Sequence, residues 1–295
     1  MKLEFMKNHN QEFNVEKMAQ ILGVGRSSYY EFIGRTPSQR AIKNECLTEE
    51  IKNIYEESRK TYGSPRVQAK LKDRGETCSR RRVARLMQKA GLQAKMRKKW
   101  KITTKAGKDI KKISPNYLDQ QFKVESPNKV WGSDITYVST QEGWLYVSVV
   151  LDLFSRRVVG LSMGNRLDTT IVIRSVGQAL FERQPKGELM HHSDRGCQYT
   201  SEEFRDLAKE RNIKLSMSGK GRCYDNAVVE SFFHTLKTEH VYLNHFRTRE
   251  EAINSIFEYV EVFYNRKRLH STLGYLSPLE FENKWMEKDQ QKMCS

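Results

Sequence analysis

Cysteine is scarce and unpatterned in this chain of 295 residues: Cys46, Cys78, Cys197, Cys223 and Cys294 form no CxxC motif and no Cys/His pair. That spacing excludes a zinc finger and speaks against a disulfide framework, as suits a reducing compartment. Long apolar runs are also missing. Nothing approaches the length of a membrane span, and the opening MKLEFMKNHNQEF lacks the apolar centre of a secretory signal. The expectation is a soluble, cytoplasmic protein with no membrane partner. Acidic residues are few only in the first part of the chain: residues 1–120 hold 28 Lys and Arg against 13 Asp and Glu, whereas 121–295 hold 24 against 23. Nearly all of the net charge of +16 therefore lies in the N-terminal portion. A polyanion is the partner this asymmetry points to, and double-stranded DNA is the densest one available.

The length allows one sizeable core and a smaller domain. Residues 1–44 are expected to carry a helix-turn-helix, because FNVEKMAQILGVGRSSYYEF (13–32) reads as helix, glycine turn, helix, with Met18, Ile21, Leu22 and Val24 as its small core. Arg26, Ser27, Ser28 and Tyr30 then fall on the reading helix, with Arg26 and Ser28 the candidate DNA contacts. TPSQRAIKNE (36–45) reads as a polar link to a second helical unit, 45–94. In its last helix Val83, Leu86, Met87 and Ala90 share one face, and Arg82, Arg85 and Lys89 share another, either a DNA-binding stripe or a merely solvated one. Residues 95–120 form a basic linker in which Lys98 and Lys99 are candidate phosphate contacts, and Trp100 either stacks on a base or anchors the linker.

From 121 to 285 the pattern is three strands, helix, strand, helix, strand and helix, with a tail at 286–295. Three carboxylates stand out: Asp134 in the strand VWGSDITYV, Asp194 after the strand ELMHHS, and Glu230 in the helix DNAVVESFFHTLK, with 59 and 35 residues between them. Phosphoryl transfer builds negative charge that divalent ions relieve, and such ions take carboxylate oxygens. Two aspartates on strands and one glutamate on a helix can converge on a metal pair. Lys237 lies seven residues after Glu230, on the same helix face about 10 Å along the axis, and can grip a phosphate there. Asp152 is expected to serve a turn with Arg156 or Arg157 rather than a metal. Adjacent His191 and His192 point to opposite faces and cannot both reach one ion. Asp225 and Asn226 read as caps of the Glu230 helix.

WGSDITYV, HHSDRGCQYTS, GKGRCYDNAVVESFFHTLKTE and YNRKRLHSTLGYLSP resemble the signature blocks of the DDE transposases of IS3-type bacterial insertion sequences, relatives of retroviral integrases. The likeness runs from about residue 13 to 284. It implies an α/β architecture: an RNase H-like catalytic domain, a mixed sheet flanked by helices, preceded by a small all-α helix-turn-helix region. It further implies that Asp134, Asp194 and Glu230 bind two Mg²⁺ ions, with Mn²⁺ as a substitute, and that Lys237 contacts DNA. Cys197 stands where the family more often has a small hydroxyl residue. Arg266 and Arg268, in the last block, contact either DNA or the flank of the core. The resemblance implies cleavage and strand transfer at element ends, a homo-oligomer on DNA, nucleoid association, and fusion to or partnership with the product of an upstream reading frame. Hydrolysis without strand transfer and a catalytically silent DNA-binding repressor are the competing functions.

Overall fold

The computed structural model describes residues 1–34, 36, 38–94, 113–219 and 222–293; Lys98, Lys99, Trp100, Lys220 and Gly221 lie outside them. Three short helices open the chain, Lys2–Asn8 (α1), Val15–Leu22 (α2) and Arg26–Gly34 (α3). Asn14 caps α2 by accepting from the Glu16 amide at 2.8 Å, and Gly23 ends it in the left-handed region at φ 61°. Met6, Met18, Ala19 and Tyr29 form the core of this unit. Ile21, which its helical spacing assigns to that core, is instead 83% exposed, and Met6 of α1 takes a place in the core.

The polar segment 36–45 is not a linker. From Gln39 it is the first part of one helix, Gln39–Glu57 (α4), whose cap Ser38 accepts from the Ala41 amide at 3.2 Å. Its polarity reflects exposure, and the helix runs through residues 44 and 45 without a break. With Ser64–Asp73 (α5) and Arg80–Lys89 (α6) it encloses Leu47, Ile51, Ile54, Val67, Leu71, Val83, Leu86 and Met87, together with Leu269 from near the other end of the chain.

The sheet begins with Val130–Thr140 (β1), Gly143–Asp152 (β2) and Val158–Gly164 (β3), paired antiparallel. Thr169–Arg183 (α7) leads to Leu189–Ser193 (β4), and Cys197–Thr200 (α8) and Glu202–Glu210 (α9) lead to Ile213–Met217 (β5). β4 and β5 add in parallel, giving the order β3-β2-β1-β4-β5. Side chains alternate along β2: Leu145, Val147, Val149 and Leu151 enter one core with Ala227–Glu239 (α10) and Arg249–Glu258 (α11), while Val150 enters the other with α7 and α9. Helices thus cover both faces. Gly160 lets α7 approach, since a Cβ there would lie 2.1 Å from the Ser175 carbonyl oxygen.

Two buried ion-pair centres tie the periphery to the sheet. Glu282, fully buried on Pro278–Met293 (α12), accepts from Ser155 Oγ at 2.7 Å and from Arg157 and Arg183 at 2.9 Å. This helix continues past residue 285, so the expected tail is largely helical. Asp152 is structural, as expected, but its partners differ: it accepts from the Asn128 and Phe154 amides, and its cation is Arg183 at 3.8 Å. In the second centre Glu239, at the end of α10, accepts from Arg268 Nε and Nη2 at 2.7 Å each, with Arg66 of α5 at 3.6 Å. Next to it the Tyr62 hydroxyl donates to the Lys267 carbonyl at 3.1 Å and accepts from the Leu269 amide at 2.8 Å. The α4–α6 unit is therefore anchored to the helix that carries Glu230.

Burial would raise the Glu239 carboxyl, but the hydrogen bonds and charge of Arg268, aided by Arg66, hold it below the usual glutamate range. A carboxyl depressed in the folded state stabilises the fold above its unfolded value of 4.5, and that contribution is lost as pH falls through the folded value. Arg268→Met is expected to cost about 3–5 kcal/mol at pH 7 by leaving Glu239 buried and uncompensated. The cost should shrink in acid as Glu239 protonates; thermal unfolding of both proteins from pH 7 down to pH 3 checks it, and a pH-independent difference would refute the assignment. Gly160→Ala is expected to destabilise by roughly 1–3 kcal/mol, read from urea midpoints, because β3 and α7 must separate.

Candidate active site

Register brings the two aspartates together. β1 and β4 pair in parallel only through Val130–Met190, Trp131–His191 and Gly132–His192. Asp134 and Asp194 each lie two residues beyond that last pair, so they leave adjacent strands side by side, about 4.8 Å apart in the pairing direction, and by alternation on the same face. Gly132 belongs to that face: a Cβ on it would meet Val229 of α10 at 2.8 Å. The Asp194 carboxylate accepts from the Gly196 amide at 2.9 Å, and that of Asp134 from the Ile135 amide at 2.7 Å. Arg195 Nε donates to the Ser218 carbonyl at 2.6 Å and pins the Asp194 turn to the end of β5.

The charges interact strongly. Burial, then the charge of Asp194, pushes the Asp134 carboxyl up to about 8, with the Ile135 amide opposing and Glu230 adding a smaller push. Burial raises Asp194 against the pull of the Gly196 amide, and burial followed by Asp194 raises Glu230. Lys237 is buried too, which lowers its ammonium, while Asp134 acts to raise it. Its Nζ sits 5.0 Å from the centroid of the Tyr137 ring. These four groups share one electrostatic site.

Their convergence is partial. Among the described residues no three His, Cys, Asp or Glu side chains are gathered closely enough to hold a metal ion. Glu230 is exposed on the first turn of α10 and stands off from the aspartate pair. The pair itself fits a divalent cation, whose charge would offset the burial that raises both carboxyls and the Asp194 charge that raises Asp134 further; a three-carboxylate set requires Glu230 to close on it.

Residues around the pair hold it in place. His191 Nε2 bonds Ser133 Oγ at 2.7 Å, and His192 bridges Ser216 Oγ at 2.9 Å and Ser218 Oγ at 3.2 Å. Burial drives the two imidazoles down to about 3 and about 4, so both are neutral supports. Asn226 Nδ2 donates to the Ser133 carbonyl at 3.1 Å, tying the start of α10 to β1. Asp225 does not cap α10. It is a buried latch that accepts from the Gly219 amide at 2.8 Å, Asn116 Nδ2 at 2.9 Å and Gln120 Nε2 at 3.0 Å. The capping reading failed because a short 3₁₀ turn, Cys223–Asn226, separates Asp225 from the α-helical amides it would have to reach. Sequence reasoning missed Tyr199, whose buried hydroxyl feels the charges of Asp134 and Asp194; the only signal was its position five residues after Asp194, inside a conspicuous motif.

The DNA-contact candidates scatter. Arg26 and Ser28 are exposed on α3, with Arg26 paired to Glu16 at 2.7 Å; Arg85 and Lys89 are exposed on α6; and Arg82 is half-buried, donating to Asn44 Oδ1 at 3.0 Å. Arg266 is exposed. Arg268 is corrected: only 4% exposed and held by Glu239, it belongs to the flank of the core and has no donor face turned to a phosphate. Lys98 and Lys99 lie outside the described residues.

Comparison with known proteins bears on this arrangement. Residues 124–223 and 230–286 each match a model of the Integrase core domain, and residues 41–100 match an HTH-like domain. The chain is 38% identical over 287 residues, 96% of its length and 99% of the relative's, to the Transposase InsF for insertion sequence IS3A of Escherichia coli (strain K12). It is 42% identical over 249 residues, 84% of its length and 98% of the relative's, to the Transposase for insertion sequence element IS904 of Lactococcus lactis subsp. lactis (strain IL1403). Among solved structures it is similar to the HTLV-2 integrase catalytic core domain in complex with magnesium (trimeric form), at a TM-score of 0.43 and 19% identity over 53% of this chain and 97% of that one, a likeness too slight to bear on function. With its HTH-like helices and an RNase H-like integrase core, a mixed five-stranded sheet flanked by helices, the chain belongs to the IS3-family insertion-sequence transposases, DDE-type polynucleotidyl transferases that act in DNA transposition.

Proposed function

We propose that Asp134, Asp194 and Glu230 are the catalytic carboxylates of a transposase that cleaves DNA at the ends of its element and joins the freed 3′-hydroxyl to target DNA by direct transesterification. The observation that carries this reading is the half-buried Asp134–Asp194 pair, side by side just past the point where β1 and β4 stop pairing, with Lys237 in the same field. In the first step a water oxygen attacks the phosphodiester at the element end and loses a proton as the P–O3′ bond breaks to free the 3′-hydroxyl; in the second that hydroxyl attacks a phosphodiester of the target, loses its proton, and displaces the target strand's 3′-oxygen, which leaves as a hydroxyl. No protein nucleophile is needed. Asp134 and Asp194, joined by Glu230, would hold two Mg²⁺ ions, or Mn²⁺ in their place, and bound cations would neutralise charge on the phosphate under attack. Lys237 would hold a neighbouring phosphate oxygen. Arg26, Ser28, Arg82, Arg85, Lys89 and Arg266, with Lys98 and Lys99, would follow the flanking duplex, fixing its register without reading much sequence. The working form is a homo-oligomer on DNA in the cytoplasm, associated with the nucleoid and fused to or partnered with an upstream-frame product.

The test is a strand-joining assay on labelled element-end DNA with Mg²⁺, using the chain alone and fused to its upstream frame. Asp134→Asn, Asp194→Asn and Glu230→Gln are each expected to lower joining by at least about a hundredfold, since changes to residues outside a metal's ligand shell already cost 10–100-fold. End binding should be retained. Cleavage without joined products would favour a hydrolytic nuclease instead. Asp194→Asn should also raise the melting temperature in EDTA, because it removes a repelling buried charge, and abolish the upward shift that Mg²⁺ gives the parent; an unchanged Mg²⁺ shift would remove Asp194 from the ligand set. Lys237→Ala is expected to weaken end binding equally across DNA sequences and to reduce its salt slope by about one.

A further inference from the structure

Three exposed aromatic side chains on the Lys237 side of the sheet edge belong to neither hydrophobic core: Tyr137, whose ring lies under the Lys237 ammonium, is 41% exposed, Trp144 50% and Tyr242 45%. Tyr137 and Trp144 pack edge to face, with ring centroids 5.0 Å apart and planes at 80°. The Lys237 ammonium lies over the Tyr137 ring, and Tyr242 stands in the short 3₁₀ turn Val241–Leu243 that follows the helix carrying Lys237. Single exposed aromatics are ordinary on a protein surface, but a packed cluster marks a binding surface.

The cluster is held rigidly. Trp144 sits at the β1–β2 hairpin, where Thr140 Oγ1 donates to the Gly143 carbonyl at 2.7 Å and the Gln141 amide to the Phe246 carbonyl at 3.1 Å. Arg249, at the start of α11, donates to the Trp144 carbonyl at 3.1 Å and to the Glu142 carbonyl at 2.6 Å, and its amide reaches Glu142 Oε2 at 2.9 Å. A Cβ at Gly143, whose φ is 107°, would lie 2.9 Å from Arg249 Nη2, so the clamp depends on glycine in the turn. Among the described residues, no strand pairs with β1 on its β4 side between Gly132 and the Thr140–Phe246 bridge, so the Tyr137 stretch of β1 keeps unpaired backbone on that side.

We infer that Tyr137, Trp144 and Tyr242 form a stacking platform for an unpaired nucleobase at the DNA end, next to the phosphate held at Asp134, Asp194 and Lys237. The ligand is a single-stranded nucleotide because bases in a duplex are already stacked and present no free π-face; an unpaired base gains one, and a cation beside the ring meets its phosphate. An apolar protein surface fits less well, since it would have to cover Lys237 and the acidic pair without compensating charge. The inference rests on the proposed cleavage and joining function, but its test is independent of catalysis.

The probe is a synthetic duplex ending in a short unpaired tail that contains 2-aminopurine, compared with the same duplex made blunt, in EDTA, with the full chain. The parent and Asp194→Asn should both bind the tailed DNA more tightly than the blunt and quench its fluorescence. Trp144→Ala is expected to lose about tenfold of that preference while keeping its affinity for blunt DNA, and Trp144→Phe to retain most of it. Tyr242→Ala should lose a smaller part. Unchanged tail preference in both alanine variants would overturn the platform, as would a Trp144→Ala protein that keeps the preference and instead loses self-association by sedimentation. Failure of the catalytic reading would appear separately, as joined products from Asp194→Asn.

Discussion

The three-residue parallel pairing between β1 and β4 is the constraint from which the site follows. Parallel strands in register carry equivalent positions side by side, so Asp134 and Asp194 emerge together two residues past the last pair. Partial withdrawal from water raises both carboxyls, and the charge of Asp194 raises Asp134 further. A fold that keeps such a pair must resist the repulsion with structure elsewhere, and the surroundings of the pair do so: Ser133 with His191, Ser216 and Ser218 with His192, and the Arg195 contact to the Ser218 carbonyl are all short bonds among elements adjacent to the aspartates.

The rest of the chain fixes α10 against that pair. Its N-terminal end is tied by Asn226 to β1 and by the Asp225 latch to the residues entering the sheet. Its C-terminal end is fixed by Glu239, which Arg268 and Arg66 hold from two other parts of the chain. Glu230 and Lys237 lie between these two anchors. The α4–α6 unit thus reaches the helix that bears them through Tyr62 and Arg66, a path of packed and hydrogen-bonded groups from the HTH-like region to the aspartate pair. A two-state element along that path would be needed to call it coupling.

Much of the core and the site was legible in the sequence because strands and helices leave periodic traces. The strand formers of VWGSDITYV marked β1, and the helical reading of DNAVVESFFHTLK marked α10. The misreadings have physical causes. Ile21 looked like core because one helix considered alone does not reveal which side its neighbour covers. The first turns of Gln39–Glu57 looked like a link because a well-solvated helix has polar residues where a loop has them. Arg268 stood open between DNA and the flank of the core and Asp225 looked like a cap, yet both are buried, since nothing local indicates that Glu239 or Asn116 and Gln120 will arrive from far along the chain.

The sequence by itself determined the chemistry on offer: three carboxylates and a lysine in order, a basic N-terminal third, and the apolar periodicity that makes one a strand residue and another a helix residue. It could do so because residue type and local period are properties of short segments. Only the tertiary structure decided which of those groups share a field, that Asp134 and Asp194 meet while Glu230 stands apart, that Arg268 is spent on Glu239, and that Tyr137, Trp144 and Tyr242 gather at the open edge of β1. Those outcomes depend on strand register and on ion pairs closed between residues as far apart as Arg66 and Glu239, and no local pattern encodes a distance of that kind.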